Sequence, residues 1–274
     1  MKKFIAVILV AIVAFGVFAG NVMAAPSETA KQLISILQKK SEGQARINVI
    51  SETVIPGTDF KFILLDFAIG QESKEISFVT NGRYITNALV DLETGQNVAL
   101  YYETTARKVS VETSPDELYF GNPNGKAKVV IFSDYNCSFC VKLMTELQPF
   151  FKQHEKNIAI YYKHLPYQPN SRQLSVFYEA GKKLGYTWNM YAENYGGMNS
   201  ESLTKLFEQK LNPKDVPAFR KLINDPEING KIDRHIAQAT KLGIQGTPHV
   251  IINGSPVSGY QKDMITQLIQ KAVK

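Results

Sequence analysis

Two cysteines separated by two residues carry the chemistry that this sequence can perform. Cys137 and Cys140 are the only cysteines in a chain of 274 residues. Thiols at this spacing can close on each other as a disulfide or exchange with a disulfide of another protein. The apolar run at 129–132 predicts a buried strand before the pair, and the pattern after it predicts a helix over Ser138–His154. A dithiol at a strand-to-helix junction predicts thiol–disulfide exchange.

The junction predicts unequal roles for the two thiols. The first N–H groups of a helix lack partners within the helix, and the helix dipole favours an anion at that end. We therefore expect Cys137 to hold a thiolate of lowered pKa and to attack first. Cys140 lies one turn inside the helix, so it is expected to be more buried and to resolve the mixed disulfide. Ser138 and Phe139 form the dipeptide between them, which is expected to set the stability of the thiolate.

Two other uses of the cysteine pair compete with exchange. A static disulfide would close a loop of only four residues, which restrains little of the unfolded chain. A metal site would need two more ligands, and the sequence has no second CxxC and no histidines at the spacing of a zinc finger. The sequence therefore predicts neither a metal nor any other cofactor.

A second motif, Gly246-Thr247-Pro248-His249, stands directly before a predicted strand over His249–Ile252. A proline at this position is tolerated when its peptide bond is cis and forms a tight turn. An ordinary trans proline at the start of a strand is the alternative. The tripeptide alone is a weak signal, but together with the CxxC it becomes a strong one.

The N-terminus has the pattern of a bacterial export signal. Two lysines precede an apolar run from Phe4 to about Gly20, and a small-x-Ala cleavage pattern ends at Ala24. Residues 1–24 are therefore predicted to be a cleaved signal peptide, with an uncleaved membrane anchor as the alternative. Export to the periplasm would place the cysteine pair in an oxidising compartment.

The charge distribution does not favour a nucleic-acid partner. The chain has 31 basic and 25 acidic residues, which gives a net charge of +6 at pH 7. The basic excess lies in the second half as scattered single lysines rather than as a cluster. Such a pattern is typical of a solvated surface, so no nucleic acid is expected among the partners.

The apolar pattern divides the remaining chain into two domains. Residues 25–100 predict a short helix followed by about four strands, which indicates a small α+β domain. Residues 101–115 are predicted to be a linker that could form a connecting helix. Residues 116–274 predict strands alternating with helices, with a long helical insertion over about 171–242.

The motifs of the second domain resemble the thioredoxin-fold thiol–disulfide oxidoreductases of the Dsb group. Segments 121–123, 132–135 and 162–166 are similar to the DsbA-type proteins with a helical insertion. The resemblance implies an α/β thioredoxin fold in which a cis-proline loop lies against the dithiol. In that fold the substrate backbone pairs with the residue before the proline, so the resemblance assigns substrate binding to Thr247 and Pro248.

Other features are similar to the DsbC and DsbG isomerases. Segment 81–95 resembles the small, cystatin-like dimerisation domain of those proteins, which implies a homodimer formed through residues 25–100. The buried acid that DsbA and thioredoxin carry six positions before the first cysteine is replaced by Ile131, and the nearest acid is Asp134. The threonine before the proline, Thr247, also matches the isomerases. One departure is that the chain cannot form the second, structural disulfide that the isomerases usually carry.

Three functions are considered, in decreasing order of preference, and the third is from another class. The first is a periplasmic disulfide isomerase or reductase that acts on exported proteins with cysteines and is kept reduced by a DsbD-like donor. The second is a DsbA-like oxidase that a DsbB-like enzyme reoxidises. The third is a non-enzymatic holdase or assembly factor.

Two further groups of side chains have open roles. The helical spacing of four aromatic residues in the insertion favours core packing over a peptide-binding groove. His164 could tune the thiolate if it approaches the cysteines. The four aromatic residues are Tyr186, Trp188, Tyr191 and Tyr195.

Overall fold

The structure is a computed structural model that describes residues 25–274. The described chain forms two compact units, and the division lies between Ile85 and Thr86. The predicted signal peptide, residues 1–24, lies outside the described residues. Among residues 25–274, no helix is both long and apolar enough to cross a membrane.

The first unit is a helix packed on an antiparallel sheet whose strands pair in chain order. The helix begins after Ser27 because the Ser27 hydroxyl accepts a hydrogen bond from the Ala30 N–H. Ala30 and Leu33 pack on Ile63 and Leu65 to form its core. The short last strand stands at the boundary of the two units. The elements are α1 (Glu28–Lys40), β1 (Ala45–Val54), β2 (Lys61–Ile69), β3 (Glu72–Thr80) and β4 (Ile85–Thr86).

The second unit begins earlier in the chain than the sequence pattern predicts. The sequence predicts a first domain that ends at residue 100 and a linker over 101–115. In the structure, helix α2 (Val98–Ala106) packs on a strand of the second unit, Ser255–Ser258. The chain after this helix is also fastened there, since the Val109 N–H donates to the Gly254 carbonyl at 2.9 Å. The predicted linker is therefore part of the surface of the second unit.

The second unit is built on a five-stranded sheet with the order β5-β7-β6-β8-β9. Strands β6 and β7 are parallel, and the helix between them makes the crossover, while β8 and β9 add an antiparallel hairpin. This topology confirms the predicted α/β thioredoxin fold. The strands are β5 (Leu118–Gly121), β6 (Ala127–Ser133), β7 (Ile158–His164), β8 (His249–Ile252) and β9 (Ser255–Ser258).

Helices cover both faces of this sheet, which explains the near-continuous apolar run of β6. The predicted insertion over 171–242 forms four helices between Ser171 and Lys241. It is helical because its apolar positions recur at helical spacing and meet one aromatic core that includes Phe177, Phe207 and Phe219. The helices are α3 (Ser138–Gln153), α4 (Ser171–Lys183), α5 (Ser200–Gln209), α6 (Val216–Leu222), α7 (Pro226–Lys241) and α8 (Lys262–Val273).

Candidate active site

Cys137 caps the N-terminus of helix α3, four residues after β6 ends at Ser133. Its backbone is extended, with φ −83° and ψ 120°, so the helix begins with the next residue. Cys137 is 9 % exposed, and Cys140 is fully buried on the inner face of the helix. Both cysteines are reduced in this structure. Cys140 is therefore the more buried of the two thiols, as expected for the inner cysteine.

The loop between β6 and α3 is held in place by Asp134. One carboxylate oxygen accepts the Asn136 N–H at 2.7 Å and the Ser171 hydroxyl, and the other accepts the N–H groups of Tyr167 and Gln168 at 2.8 and 2.9 Å. Asp134 is 1 % exposed, so these bonds replace its lost hydration. The acid nearest to the CxxC therefore orients the loop, and its oxygens are engaged by groups other than the thiols.

The two thiols have opposite electrostatic surroundings. The hydrogen bond with Cys140 is the main cause that lowers the pKa of Cys137 to about 5, against the effect of burial. A bond with Thr247 and the N–H groups of Cys140 and Phe139 at the start of the helix also lower it. Burial raises the pKa of Cys140, and its bond to Cys137 raises it further. At neutral pH Cys137 is therefore a thiolate and Cys140 a thiol.

The Gly-Thr-Pro motif lies beside the dithiol. The peptide bond between Thr247 and Pro248 is cis, which confirms the first of the two conformations considered for it. The Cys137 sulfur lies 3.5 Å from the Thr247 carbonyl oxygen. The structure thus brings together the predicted nucleophile and the predicted substrate-binding residues. The role of Thr247 and Pro248 in binding substrate stays a prediction.

The dipeptide between the cysteines faces solvent. Ser138 is exposed, and Phe139 has 58 % of its surface exposed. A large apolar side chain beside a reactive sulfur offers a contact for an unfolded substrate chain.

A set of hydroxyl groups next to the buried Cys140 thiol was not predicted from the sequence. Ser133 hydrogen-bonds to the Cys140 thiol, and its hydroxyl lies 2.7 Å from the hydroxyl of Tyr191. Tyr191 in turn donates to the hydroxyl of Tyr162 at 3.0 Å. Ile131, at the position of the family's acid, is fully buried in the hydrophobic core. The only sequence signal was the serine at the end of the strand before the CxxC.

The four aromatic residues of the insertion pack in or against the core, and three of them also line a cavity. Tyr191 and Tyr195 are buried, as core packing predicts. Tyr186 and Trp188 lie on the wall of a cavity of about 630 Å³, which Tyr191 also lines. Tyr186 and Trp188 are partly buried and pack against the same core, so the core prediction holds for all four.

His164 lies in a buried cluster of charged groups and forms no hydrogen bond to either cysteine. Its Nε2 is 2.8 Å from a Glu179 oxygen, and burial lowers its pKa. In the same cluster, Lys163 forms a buried salt bridge with Glu117 at 2.6 Å. The ring of His235 bonds to the same Glu117 oxygen at 2.8 Å. The tuning role considered for His164 has no contact to support it.

No group of three or more potential metal ligands converges within the part of the chain that the structure describes. The residues that meet at the dithiol are thiols, hydroxyls and backbone groups.

Comparison with known proteins places this geometry in a family. A family model described as thioredoxin matches residues 113–271, more than half of the chain. The chain belongs to the thioredoxin family. It is 25% identical over 170 residues to a probable disulfide bond formation protein D of Bacillus anthracis, and the match spans 56% of this chain and 77% of that protein.

Solved structures of the same fold are also similar. Oxidised BdbD from Bacillus subtilis matches with a TM-score of 0.51 at 16% identity, over 61% of this chain and 98% of that one. The α-DsbA1 protein of Wolbachia pipientis matches with a TM-score of 0.50 at 19% identity, over 60% and 94% of the two chains. These similarities show the fold, and the family match and the disulfide bond formation relative support the Dsb resemblance. This thioredoxin-family chain is a thiol–disulfide oxidoreductase of the Dsb type.

Proposed function

We propose that this protein oxidises cysteine pairs in proteins outside the cytoplasm by passing on a disulfide between Cys137 and Cys140. The observation that carries the proposal is the stabilised thiolate of Cys137, whose pKa is lowered to about 5 chiefly by its bond with Cys140. Stabilising the thiolate stabilises the reduced dithiol, so the disulfide form becomes the better oxidant. The relative's description as a disulfide bond formation protein agrees with this direction.

The reaction transfers two electrons from the substrate to the protein. A substrate thiolate attacks the Cys137 sulfur, the bond between Cys137 and Cys140 breaks, and Cys140 leaves and takes up a proton. A second substrate thiolate then attacks the first substrate sulfur, and Cys137 leaves as a thiolate. The second departure is fast because a thiol of low pKa is a good leaving group. The substrate is oxidised to a disulfide and the protein is left as the dithiol.

The surroundings of Cys137 fit an extended polypeptide substrate. The Thr247 carbonyl faces the sulfur, and a substrate strand that pairs with this backbone brings its own sulfur to Cys137. Exposed Phe139 adds an apolar contact. We propose exported proteins with cysteines as the substrates and a DsbB-like membrane enzyme as the oxidant that restores the disulfide.

Disulfide isomerisation is the second candidate, and the first unit favours it. The helix and sheet form a separate compact unit, as expected for the dimerisation domain that the sequence resembles. Large apolar side chains on this unit are exposed, including Val54 at 60 % and Tyr84 at 59 %. A homodimer formed through such residues would hold a misfolded substrate between two active sites. In that case a DsbD-like donor would keep the dithiol reduced.

Two assays on one protein separate these candidates. The oxidised protein is given reduced ribonuclease, and the reduced protein is given scrambled ribonuclease, with the Cys137→Ser variant as the control in both. Oxidation of the first substrate without recovery of the second supports the oxidase. Recovery of the scrambled substrate, with a dimer in light scattering, supports the isomerase. Activity that survives in Cys137→Ser would overturn both.

A further inference from the structure

Exchange by this dithiol requires a proton to move to and from a buried sulfur. Cys140 is fully buried and its pKa is raised, mainly by burial. The sulfur must lose a proton before it attacks a mixed disulfide and gain one when it leaves. The family's acid position holds Ile131, which cannot carry a proton. Another group must connect Cys140 to solvent.

The groups that face Cys140 among the described residues are few. The sulfur of Cys137, the hydroxyl of Ser133 and the side chain of Thr247 bond to it, and Asp134 offers only its backbone. The Asp134 carboxylate is occupied by Asn136, Tyr167, Gln168 and Ser171. Of these groups, only Ser133 forms a further hydrogen bond toward the interior of the protein, to Tyr191.

Ser133 is the first member of a continuous chain of hydroxyls. Its oxygen lies 2.7 Å from the Tyr191 hydroxyl, a distance typical of a good O–H···O bond. The Tyr191 hydroxyl also bonds to Tyr162 at 3.0 Å. Ser133 is 1 % exposed, so water does not replace these bonds. Each hydroxyl can accept one proton and donate its own, which is what a relay requires.

The chain of hydroxyls reaches a cavity at Tyr191. Tyr191 lines the cavity of about 630 Å³ and is 6 % exposed, whereas Ser133 is not among the lining residues. Met144 and Phe151 of helix α3 line the same space, so it lies against the helix that carries the cysteines. A cavity of this size holds many waters. Tyr191 is therefore the member of the chain that borders this cavity.

We propose that Ser133 and Tyr191 relay the proton of Cys140 between the buried sulfur and water in this cavity. When Cys140 resolves a mixed disulfide, its proton passes to the Ser133 hydroxyl, which gives its own to Tyr191, which gives its own to water. The Cys140 thiolate then attacks Cys137, the new disulfide forms, and the substrate leaves as a thiolate. When a substrate attacks the disulfide, the same route returns a proton to Cys140.

The tyrosines serve as relays and not as stored bases. Burial raises the pKa of both Tyr191 and Tyr162 well above the usual value. Neither holds a phenolate at neutral pH, so the proton has to reach water. The proposal rests on thiol–disulfide exchange by this pair and applies equally to an oxidase and an isomerase.

Reaction of the reduced protein with Ellman's reagent tests the relay, because each cysteine releases one chromophore. The first release reports attack by Cys137, and the second reports attack by Cys140 on the mixed disulfide. We expect Ser133→Ala to slow the second release about 100-fold at pH 7, as for loss of a general acid or base. Tyr191→Phe removes the next hydroxyl and leaves strand β6 unchanged. It should slow the second release about tenfold. The first release should stay within about twofold of the native rate, because thiolate attack by Cys137 involves neither hydroxyl.

Two control variants isolate the relay. Ser133→Thr keeps a hydroxyl and should restore most of the rate. Tyr178→Phe removes a hydroxyl from the same aromatic cluster that is not part of the chain, and should react like the native protein. The slowing should shrink as the pH rises, since hydroxide can then remove the proton directly.

An unchanged second release in both Ser133→Ala and Tyr191→Phe would overturn the relay. Equal slowing of both releases would also overturn it, because the residues would then act only through the structure. A native protein whose Cys137 does not react would instead refute the exchange activity itself.

Discussion

The Cys137 thiol lies 3.5 Å from the carbonyl oxygen of Thr247, although the two residues are 110 positions apart in the chain. The contact joins the start of helix α3 to the loop before β8. It is possible because β6 and β8 are hydrogen-bonded neighbours, so the chain that leaves one strand meets the chain that enters the other. A polypeptide bound on this loop, as proposed for the substrate, would therefore lie beside the reactive sulfur.

Replacing each cysteine by alanine should have different results. Cys137→Ala removes the thiolate and should abolish exchange. Cys140→Ala removes the resolving thiol, so mixed disulfides between Cys137 and substrate should accumulate. Non-reducing gels after incubation with substrate check this. Trapped complexes with Cys137→Ala instead would reverse the assigned roles.

The reactivity of Cys137 should depend on pH with a midpoint near 5. The pKa of Cys137 is lowered to about 5, mainly by its bond with Cys140. The rate of alkylation of the reduced protein, measured from pH 3 to 9, should therefore reach its plateau below neutral pH. In Cys140→Ala the strongest stabilising bond is lost, so the midpoint should move to higher pH. A midpoint that stays in place would contradict the importance of this bond.

The same shift links pH to the stability of the reduced form. A thiol whose folded pKa lies below its unfolded value near 8.5 stabilises the folded state as the pH rises from about 5 to about 8.5. This contribution is lost as the pH falls through about 5. Denaturant unfolding of the reduced protein should show a gain of a few kcal/mol between these limits, relative to Cys137→Ser. An equal gain in Cys137→Ser would show that other titrating groups cause the pH dependence.

Pro248 should matter more for protein substrates than for small ones. It is buried, and its carbonyl accepts the Gly259 N–H at 2.8 Å, so it fixes the backbone on which substrate is proposed to lie. Pro248→Ala should lower kcat/KM for a reduced protein substrate about tenfold or more, because the substrate sulfur is misplaced. Reaction with Ellman's reagent should change little. Pro256→Ala, in strand β9, is the matched control and should leave both rates near native.

The sequence predicted the parts of the site that depend on local pattern. Helix α3 was placed to within a residue because its cap and its apolar spacing are local, and strand His249–Ile252 followed from the motif before it. The bond between Ser133 and Tyr191 joins residues 58 positions apart, so only the packing of the insertion on the sheet reveals it. The predicted boundary at residue 100 falls inside helix α2, because its short run carries no signal of its tertiary partner.

Asp134 should stabilise the active-site loop. Its carboxylate accepts three N–H bonds and one hydroxyl bond, while an asparagine amide can accept on one side only. Asp134→Asn should therefore lower the free energy of unfolding by about 2–3 kcal/mol. Denaturant unfolding measures this. The control Asp263→Asn, at an exposed position in the first turn of α8, should cost about 0.5 kcal/mol or less.

The contribution of the salt bridge between Lys163 and Glu117 to stability can be measured by comparing the unfolding free energies of a single and a double variant. Burial opposes ionisation of Glu117, but bonds from His235 and Lys163 lower its pKa to about 2, so it is charged. Lys163→Met leaves this charge without its cation and should cost about 3–5 kcal/mol of unfolding free energy.

Adding Glu117→Gln to Lys163→Met should recover part of that loss. The amide oxygen still accepts from His235, and no unpaired buried charge remains. Lys262→Met, which breaks an exposed pair with Glu146, is the control and should cost at most about 1 kcal/mol. A double variant no more stable than Lys163→Met would show that the lysine contributes through packing of its stem, because neutralising its partner would then make no difference.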